Sequence, residues 1–165
     1  LEKRDRIDFR FNVKGQERSI ILHGIIDRID RKNGITRIVD YKTGSDVLRY
    51  TNLTDVFDTN GNKQNKALIQ TLFYTYVFEK ANVVEWVEPN LYSIRNMRKE
   101  GTFFYFTEGR EKVKLNGEQL ESVKTEFIGF LEARLSELFN EDIPFVSTEN
   151  EAGFAYSPYL TLCGM

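Results

Sequence analysis

The chain has 165 residues, a formal charge of −2 and an ordinary globular composition, which together favour one soluble domain over residues 1–165. The absence of any long apolar run excludes a membrane-spanning helix, and the slightly acidic balance argues against a protein that coats nucleic acid by charge alone. A single cysteine excludes a disulfide framework and makes a reducing cytoplasm the expected location. Because the chain begins with Leu1 rather than Met, we expect a C-terminal fragment of a longer protein.

The first two elements are predicted to be strands. Residues 5–13 alternate apolar and polar side chains, which is typical of a strand with one buried face. After a turn at residues 14–16, we expect a long second strand from Ser19 to Asp30. The only histidine, His23, shares parity with Asp27 in this strand, but we interpret it as a polar strand residue rather than as a metal ligand.

The stretch from Gly24 to Gly44, GIIDRIDRKNGITRIVDYKTG, is typical of a β-hairpin. It is rich in β-branched residues, and Asn33-Gly34 is a favoured pair for a tight two-residue turn. Counting back from that turn sets Asp27 directly opposite Asp40. Two carboxylates so placed repel each other, and a divalent cation between them would remove the repulsion.

The register of this hairpin has an alternative. A three-residue loop with Gly34 in a bulge would shift the pairing by one and put Val39 opposite Asp27. In the two-residue register Asp30 faces Arg37 on the side away from Asp27, which predicts a cross-strand ion pair there rather than a second site residue.

The third strand is predicted from Ile35 to Lys42 and would close an antiparallel meander of three. Side chains two apart share a face of a sheet, so Lys42 projects on the same side as Asp40. Asp27, Asp40 and Lys42 therefore converge, and the sequence predicts a metal site with an ammonium group beside it.

The rest of the chain is predicted to alternate loops, helices and strands, giving an α/β fold with a mixed central sheet. The predicted elements are a loop over residues 45–63, a helix from Asn65 to Ala81, strands Asn90–Asn96 and Thr102–Thr107, and a helix capped by Asn116 that ends near Phe139. The loop is either a substrate-contacting flap or a floppy insertion. The aromatic run at residues 103–106 either stacks bases or is a buried strand. On the first helix, Gln70 and Tyr74 are four apart and project from one face.

Three blocks in this order, Gly24-x2-Asp27, Asp40-Tyr-Lys42-Thr-Gly44 and Gln70-x3-Tyr74, resemble the PD-(D/E)xK nuclease superfamily, and most closely its RecB/AddB-like branch. The resemblance implies a restriction-endonuclease-like core, a mixed sheet flanked by helices. It also implies hydrolysis of DNA with Mg²⁺ or Mn²⁺, as an exonuclease module of a helicase–nuclease or AddB-like repair and recombination protein. The expected partners are single-stranded DNA or duplex ends and a helicase domain or subunit.

The resemblance also assigns roles by position. Asp27 and Asp40 would be metal ligands, together with the backbone carbonyl of Tyr41. Lys42 would orient the attacking water and stabilise charge on the phosphorane. Gln70 and Tyr74 would position the lysine, the water or the DNA strand.

The chain departs from the branch in two respects. An acid or histidine from a preceding helix joins the metal site in the branch, and here that helix would lie before Leu1. Several relatives also hold an iron–sulfur cluster with terminal cysteines, but Phe154 and Ser157 occupy two of those places here and only Cys163 remains. One thiolate cannot hold a cluster that needs four ligands, so we expect no iron–sulfur centre.

Two rival interpretations stay open. The first is a nuclease-like binding or structural module without catalytic activity. The second is a purely structural sheet in which Asp27–Arg28 and Asp40–Lys42 are ordinary ion pairs. The second predicts that divalent metal leaves the melting temperature unchanged, whereas a metal site predicts that it rises.

Overall fold

The computed structural model describes residues 2–44, 49–57, 65–95, 105–108, 111–115 and 117–146. Its elements in chain order are β1 (Lys3–Val13), β2 (Gln16–Ile26), β3 (Arg28–Lys32), β4 (Ile35–Lys42), β5 (Arg49–Tyr50), α1 (Leu53–Phe57), α2 (Lys66–Ala81), β6 (Val87–Ser93), β7 (Tyr105–Glu108), β8 (Glu111–Lys114) and α3 (Gly117–Leu138). None of the helices in these residues is long and apolar enough to cross a bilayer.

The predicted α/β fold with a mixed sheet is confirmed. In the central sheet, ordered β3-β4-β6, β3 runs antiparallel to β4 whereas β6 runs parallel to it. Strands β1 and β2 form a separate antiparallel hairpin, and β5-β7-β8 form a third small sheet. The expected meander of three continuous strands was wrong, because the second strand ends at Ile26 and a new one begins at Arg28.

The turn between β3 and β4 is the predicted two-residue turn. Lys32 pairs with Ile35, and both turn residues have positive φ, 53° at Asn33 and 83° at Gly34. Asparagine and glycine are the residues that adopt this conformation most readily, so the local sequence dictates the turn. The alternative register with Gly34 in a bulge is not the one observed.

Helix α2 lies at the centre of the packing and matches its prediction. Asn65 caps its N-terminus, where the side chain accepts a hydrogen bond from the N–H of Leu68 at 3.0 Å. Val77 packs with the β1–β2 hairpin, and Phe78 packs with the central sheet. Leu72 belongs to a third apolar cluster that includes residues of α3. The helix therefore joins the hairpin, the central sheet and α3.

Helix α3 agrees with its predicted extent, Gly117–Leu138, while the expected cap Asn116 lies outside the described residues. Leu120 and Phe127 are buried. Leu138 is exposed because it lies in the last turn, beyond the packed part of the helix. Near that end the Ser136 hydroxyl donates to the carbonyl of Asn12 on β1 at 2.7 Å.

Several other predictions need correction. The segment expected to be a loop contains β5 and α1, and α1 buries Leu53 and Val56 in the core. Strand β6 covers Val87–Ser93 rather than Asn90–Asn96, and β7 covers Tyr105–Glu108. Residues 103–104 of the aromatic run and the tail from residue 147 onward, including Cys163, lie outside the described residues.

Candidate active site

Asp27 occupies a bend between β2 and β3. Ile26 and Ile29 both contact the same apolar cluster, although residues three apart in an unbroken strand face opposite sides of a sheet. The bend at Asp27 explains why Ile26 and Ile29 can face the same side. Asp27 is one extra residue between the two strands, so the alternation of side chains restarts after it. Its side chain is exposed, and its Oδ2 accepts a hydrogen bond from the backbone N–H of Tyr41 at 3.1 Å.

The predicted pairing brings Asp27 to the end of β4. The last pair between β3 and β4 is Arg28 with Val39, so the next position in that register faces Asp40. The Asp27 carboxylate bonds to the backbone one residue beyond, at Tyr41. Asp27 thus lies beside the end of β4, the strand that carries Asp40.

Asp40, which is buried, and Lys42, which is half-buried, form an ion pair on the face of β4 that α2 covers. The Nζ of Lys42 lies 2.8 Å from Oδ2 of Asp40, and their side chains are 17% and 3% exposed. Burying two charges costs desolvation free energy, which such a pair only recovers with good geometry and further hydrogen bonds. Lys42 has a further hydrogen bond of this kind, to helix α2.

A chain of hydrogen bonds joins Lys42 to α2. Lys42 Nζ donates to Oε1 of Gln70 at 2.6 Å, and Nε2 of Gln70 donates to the hydroxyl of Tyr74 at 2.8 Å. Gln70 and Tyr74 are neighbours on one helix face because they are four residues apart. The structure therefore brings together Asp40, Lys42, Gln70 and Tyr74. Among the residues that the structure describes, the Tyr74 hydroxyl accepts the bond from Gln70 and donates to no other group.

Gly24 fixes the position of Tyr74, a role that sequence analysis missed. A Cβ at Gly24 would lie 2.7 Å and 2.9 Å from Cδ1 and Cε1 of the Tyr74 ring. Real Cβ contacts are not that short, so the ring can occupy this position only against a glycine. The available signal was a glycine within a predicted strand, which often marks the close approach of another group to the backbone.

The opposite face of the same strands carries a cluster of arginines and tyrosines. Arg37 donates to both oxygens of Asp30, at 2.6 Å and 2.7 Å, which confirms the predicted cross-strand pair. That hydrogen bonding is the main reason that the pKa of Asp30 lies below its ordinary value. The rings of Tyr41 and Tyr92 lie 5.6 Å apart beside this pair.

The residues at the end of β4 fit a hard divalent cation. The carbonyl of Lys42 accepts from the N–H of Ile94 on the β6 side, at 2.9 Å. Carbonyls alternate along a strand, so the carbonyl of Tyr41 points to the other edge, where Asp27 lies. Two carboxylates and a carbonyl are oxygen ligands of the kind that Mg²⁺ and Mn²⁺ prefer.

In the described part of the chain, no three or more His, Cys, Asp or Glu side chains are grouped so that they could hold a metal ion. His23 is exposed on β2 and pairs with Arg6 of β1. Its neighbours in sequence, Leu22 and Gly24, are the buried ones that face α2. His23 therefore lies on the opposite face of the hairpin from Tyr74, in agreement with its interpretation as a polar strand residue.

Comparison with known proteins identifies one family. The sequence model of the PD-(D/E)XK nuclease superfamily matches residues 1–164 of the chain. Neither a curated protein nor a solved structure gives a significant match. The matched residues include the candidate site and all of the described helices and strands.

Proposed function

This chain belongs to the PD-(D/E)XK nuclease superfamily, and from that premise we propose that it is a metal-dependent deoxyribonuclease that hydrolyses phosphodiester bonds. The observation that carries the proposal is the connected set Asp40–Lys42–Gln70–Tyr74, with Asp27 bonded to the intervening Tyr41. A carboxylate pair beside an ammonium group is suited to bind a cation and a phosphate together.

In this proposal Asp27, Asp40 and the carbonyl of Tyr41 hold Mg²⁺ or Mn²⁺. When bound, such an ion lowers the pKa of a coordinated water and offsets charge on the phosphate. Lys42 supplies positive charge to the developing phosphorane. Gln70 holds the Lys42 ammonium in place, and Tyr74 holds the Gln70 amide and offers its own hydroxyl to the water or the DNA strand.

We further propose that the chain acts as an exonuclease on single strands or duplex ends, within a helicase–nuclease or AddB-like repair protein. The three sequence blocks of the RecB/AddB-like pattern support this more detailed assignment, and the single cysteine supports a reducing cytoplasm as its location. No iron–sulfur centre is part of the proposal.

The test compares linear and circular DNA in the presence of Mg²⁺ or Mn²⁺. We expect linear single strands to be degraded and circular ones to survive, with no cleavage in EDTA. Asp27→Asn and Asp40→Asn should each reduce the rate by more than about a hundredfold, as expected when transition-state charge loses its stabilisation. Asp8→Asn, at an exposed position of β1, is the matched control and should cleave normally.

Two outcomes would overturn parts of the proposal. Cleavage of circular DNA would replace the exonuclease assignment with an endonuclease. If the folded chain fails to cleave any DNA with either metal, the inactive rival gains support. The 2.8 Å contact between Asp40 and Lys42 is also what the purely structural rival requires, so measurements of metal binding, rather than this distance, separate the two.

A further inference from the structure

Arg28 borders the candidate site without belonging to it. It is the first residue of β3 and pairs with Val39, the residue before Asp40. Successive residues of β4 face opposite sides of the sheet, so Arg28 lies on the face opposite to Asp40 and Lys42. Asp27 therefore lies at the candidate site, and the next residue, Arg28, lies on the opposite face of the sheet at the start of β3.

Two neighbours fix the direction of the Arg28 guanidinium. Nη1 donates to the hydroxyl of Tyr41 at 3.0 Å, and Nη2 lies 2.9 Å from Oδ2 of Asp30. Tyr41 is itself braced by the ring of Tyr92. The guanidinium is therefore oriented before any ligand arrives, which reduces the entropy lost on binding.

The Asp30 carboxylate has an ion-pair partner other than Arg28. Asp30 already receives two hydrogen bonds from Arg37, so two guanidinium groups share one carboxylate. Because Arg37 already provides the structural ion pair, a second guanidinium beside the candidate metal site is suited to bind an anionic ligand.

The guanidinium also keeps donors available. The side chain is 52% exposed, and its Nε–H has no partner among the residues that the structure describes. Arginine carries five N–H donors in a planar fork that matches the oxygens of a phosphate. Arg28 is thus an exposed, oriented group next to Asp27 that can donate hydrogen bonds to a phosphate.

We propose that Arg28 is a substrate-binding residue that contacts a DNA phosphate neighbouring the one that is hydrolysed. This inference rests on the proposed nuclease function and extends it, since it assigns the path of the strand across the end of β3. Arg28 contributes to binding and leaves the chemical step to the residues on the other face.

The salt dependence of DNA binding tests the inference directly. The logarithm of the DNA-binding constant falls linearly with the logarithm of the salt concentration, and each protein–phosphate contact on a single strand makes that slope steeper by about 0.7. In an Asp27→Asn background with Mg²⁺, where the proposed function predicts no hydrolysis, Arg28→Gln should weaken binding about tenfold. It should also make this negative slope shallower by about 0.7, a change that a purely structural role of Arg28 would not produce.

Matched variants separate charge from orientation. Arg10→Gln removes the same charge from an exposed pair with Glu17 on the hairpin and should leave the slope unchanged. Arg28→Lys keeps the charge and should retain the slope with weaker binding, because the fork geometry is lost. Tyr41→Phe removes only the hydroxyl that orients Arg28 and should likewise lower affinity without changing the slope.

Kinetics with the otherwise unmodified chain complete the test. Arg28→Gln should raise KM for DNA about tenfold and leave kcat within about twofold, as expected for the loss of a uniform binding contact. An unchanged salt slope in Arg28→Gln, in a chain that cleaves DNA, contradicts this inference alone. A chain that neither binds nor cleaves DNA contradicts the inference and the proposed function together.

Discussion

At the scale of single residues, the candidate site depends on an absent side chain as much as on the charged ones. The aromatic ring of Tyr74 contacts the backbone of Gly24, and through Gln70 it contributes to the position of the Lys42 ammonium. Gly24, which has no reactive side chain, thus contributes to the position of the Lys42 ammonium.

Gly24→Ala tests this dependence. The new Cβ would overlap the Tyr74 ring, and the shift of that ring should destabilise the fold by about 1–3 kcal/mol and reduce kcat. Gly129→Ala on α3 is the control, because a Cβ there meets no atom within 4 Å. Alanine in a helix interior should raise stability by about 0.5–1 kcal/mol. Thermal melts and cleavage assays measure both, and full activity in Gly24→Ala would contradict the positioning role.

Lys42→Arg tests whether Lys42 acts through its charge. If the ammonium stabilises charge on the phosphorane, arginine should retain a measurable fraction of the rate, whereas the neutral variant Lys42→Gln should lose more than about a hundredfold. Single-turnover cleavage assays measure the chemical step. Equal loss in both variants would indicate that Lys42 transfers a proton, or that the Gln70 contact requires an ammonium group.

At the scale of elements, β3 and β4 are joined by the bidentate pair of Asp30 and Arg37. The folded-state pKa of Asp30 is lowered from 3.8, so the ionised carboxylate stabilises the folded chain. That contribution is fully present above the unfolded-state pKa and is lost as the pH falls through the lower, folded-state pKa.

Asp30→Asn should therefore destabilise the chain at neutral pH by about 1–3 kcal/mol, because Arg37 loses its charged acceptor. The difference in unfolding free energy between the wild type and Asp30→Asn should shrink as the pH falls below about 4. Urea unfolding at several pH values measures it, with Asp8→Asn as the exposed control. A difference that stays constant across this range would contradict the assigned cause of the lowered pKa.

The sequence predicts some elements well for identifiable physical reasons. Asn33-Gly34 fixes the turn and with it the register, and the four-residue spacing of Gln70 and Tyr74 fixes their shared face. The bend at Asp27 was not predictable from the alternation of apolar and polar residues. Ile25 and Ile26 are both apolar, so the sequence does not show which of them faces the core. The structure exposes 40% of Ile25 and only 1% of Ile26.

Two other elements were missed for local reasons. Helix α1 has only five residues, too few for a helical period to stand out. Strand β6 contains Pro89, which normally argues against a strand. Pro89 is tolerated because β6 is the outer strand of the described central sheet, and the N–H of nearby Ile94 faces β4. Pro89 differs from Ile94 in parity, so its missing N–H would face outward.

At the scale of the whole molecule, the parallel contact between β4 and β6 is the feature that local patterns could not predict. It joins residues about fifty positions apart, with α2 between them in sequence and packed against both. The roles of the site residues remain predictions, although the structure connects four of them through one ion pair and two hydrogen bonds, with Asp27 bonded to the nearby Tyr41 N–H.

Metal binding should be visible in the stability of the whole chain. A cation that binds only the folded state at one hundred times its Kd adds about 2.7 kcal/mol, which corresponds to a rise of roughly 5–10 °C in Tm for a chain of this size. We expect Mn²⁺ to produce such a rise in the wild type and in Asp8→Asn, but not in Asp27→Asn. An unchanged wild-type Tm would favour the purely structural sheet.

The two aspartates differ in their access to water, and this difference affects how a substrate complex can be captured. Asp40 is buried and paired with the half-buried Lys42, so an asparagine there would leave the Lys42 ammonium without its carboxylate and put the fold at risk. Asp27 is open to solvent and bonds only to a backbone N–H in the described part of the chain. Asp27→Asn is therefore the better inactive variant for co-crystals with intact DNA, because it preserves the interior that shapes the complex.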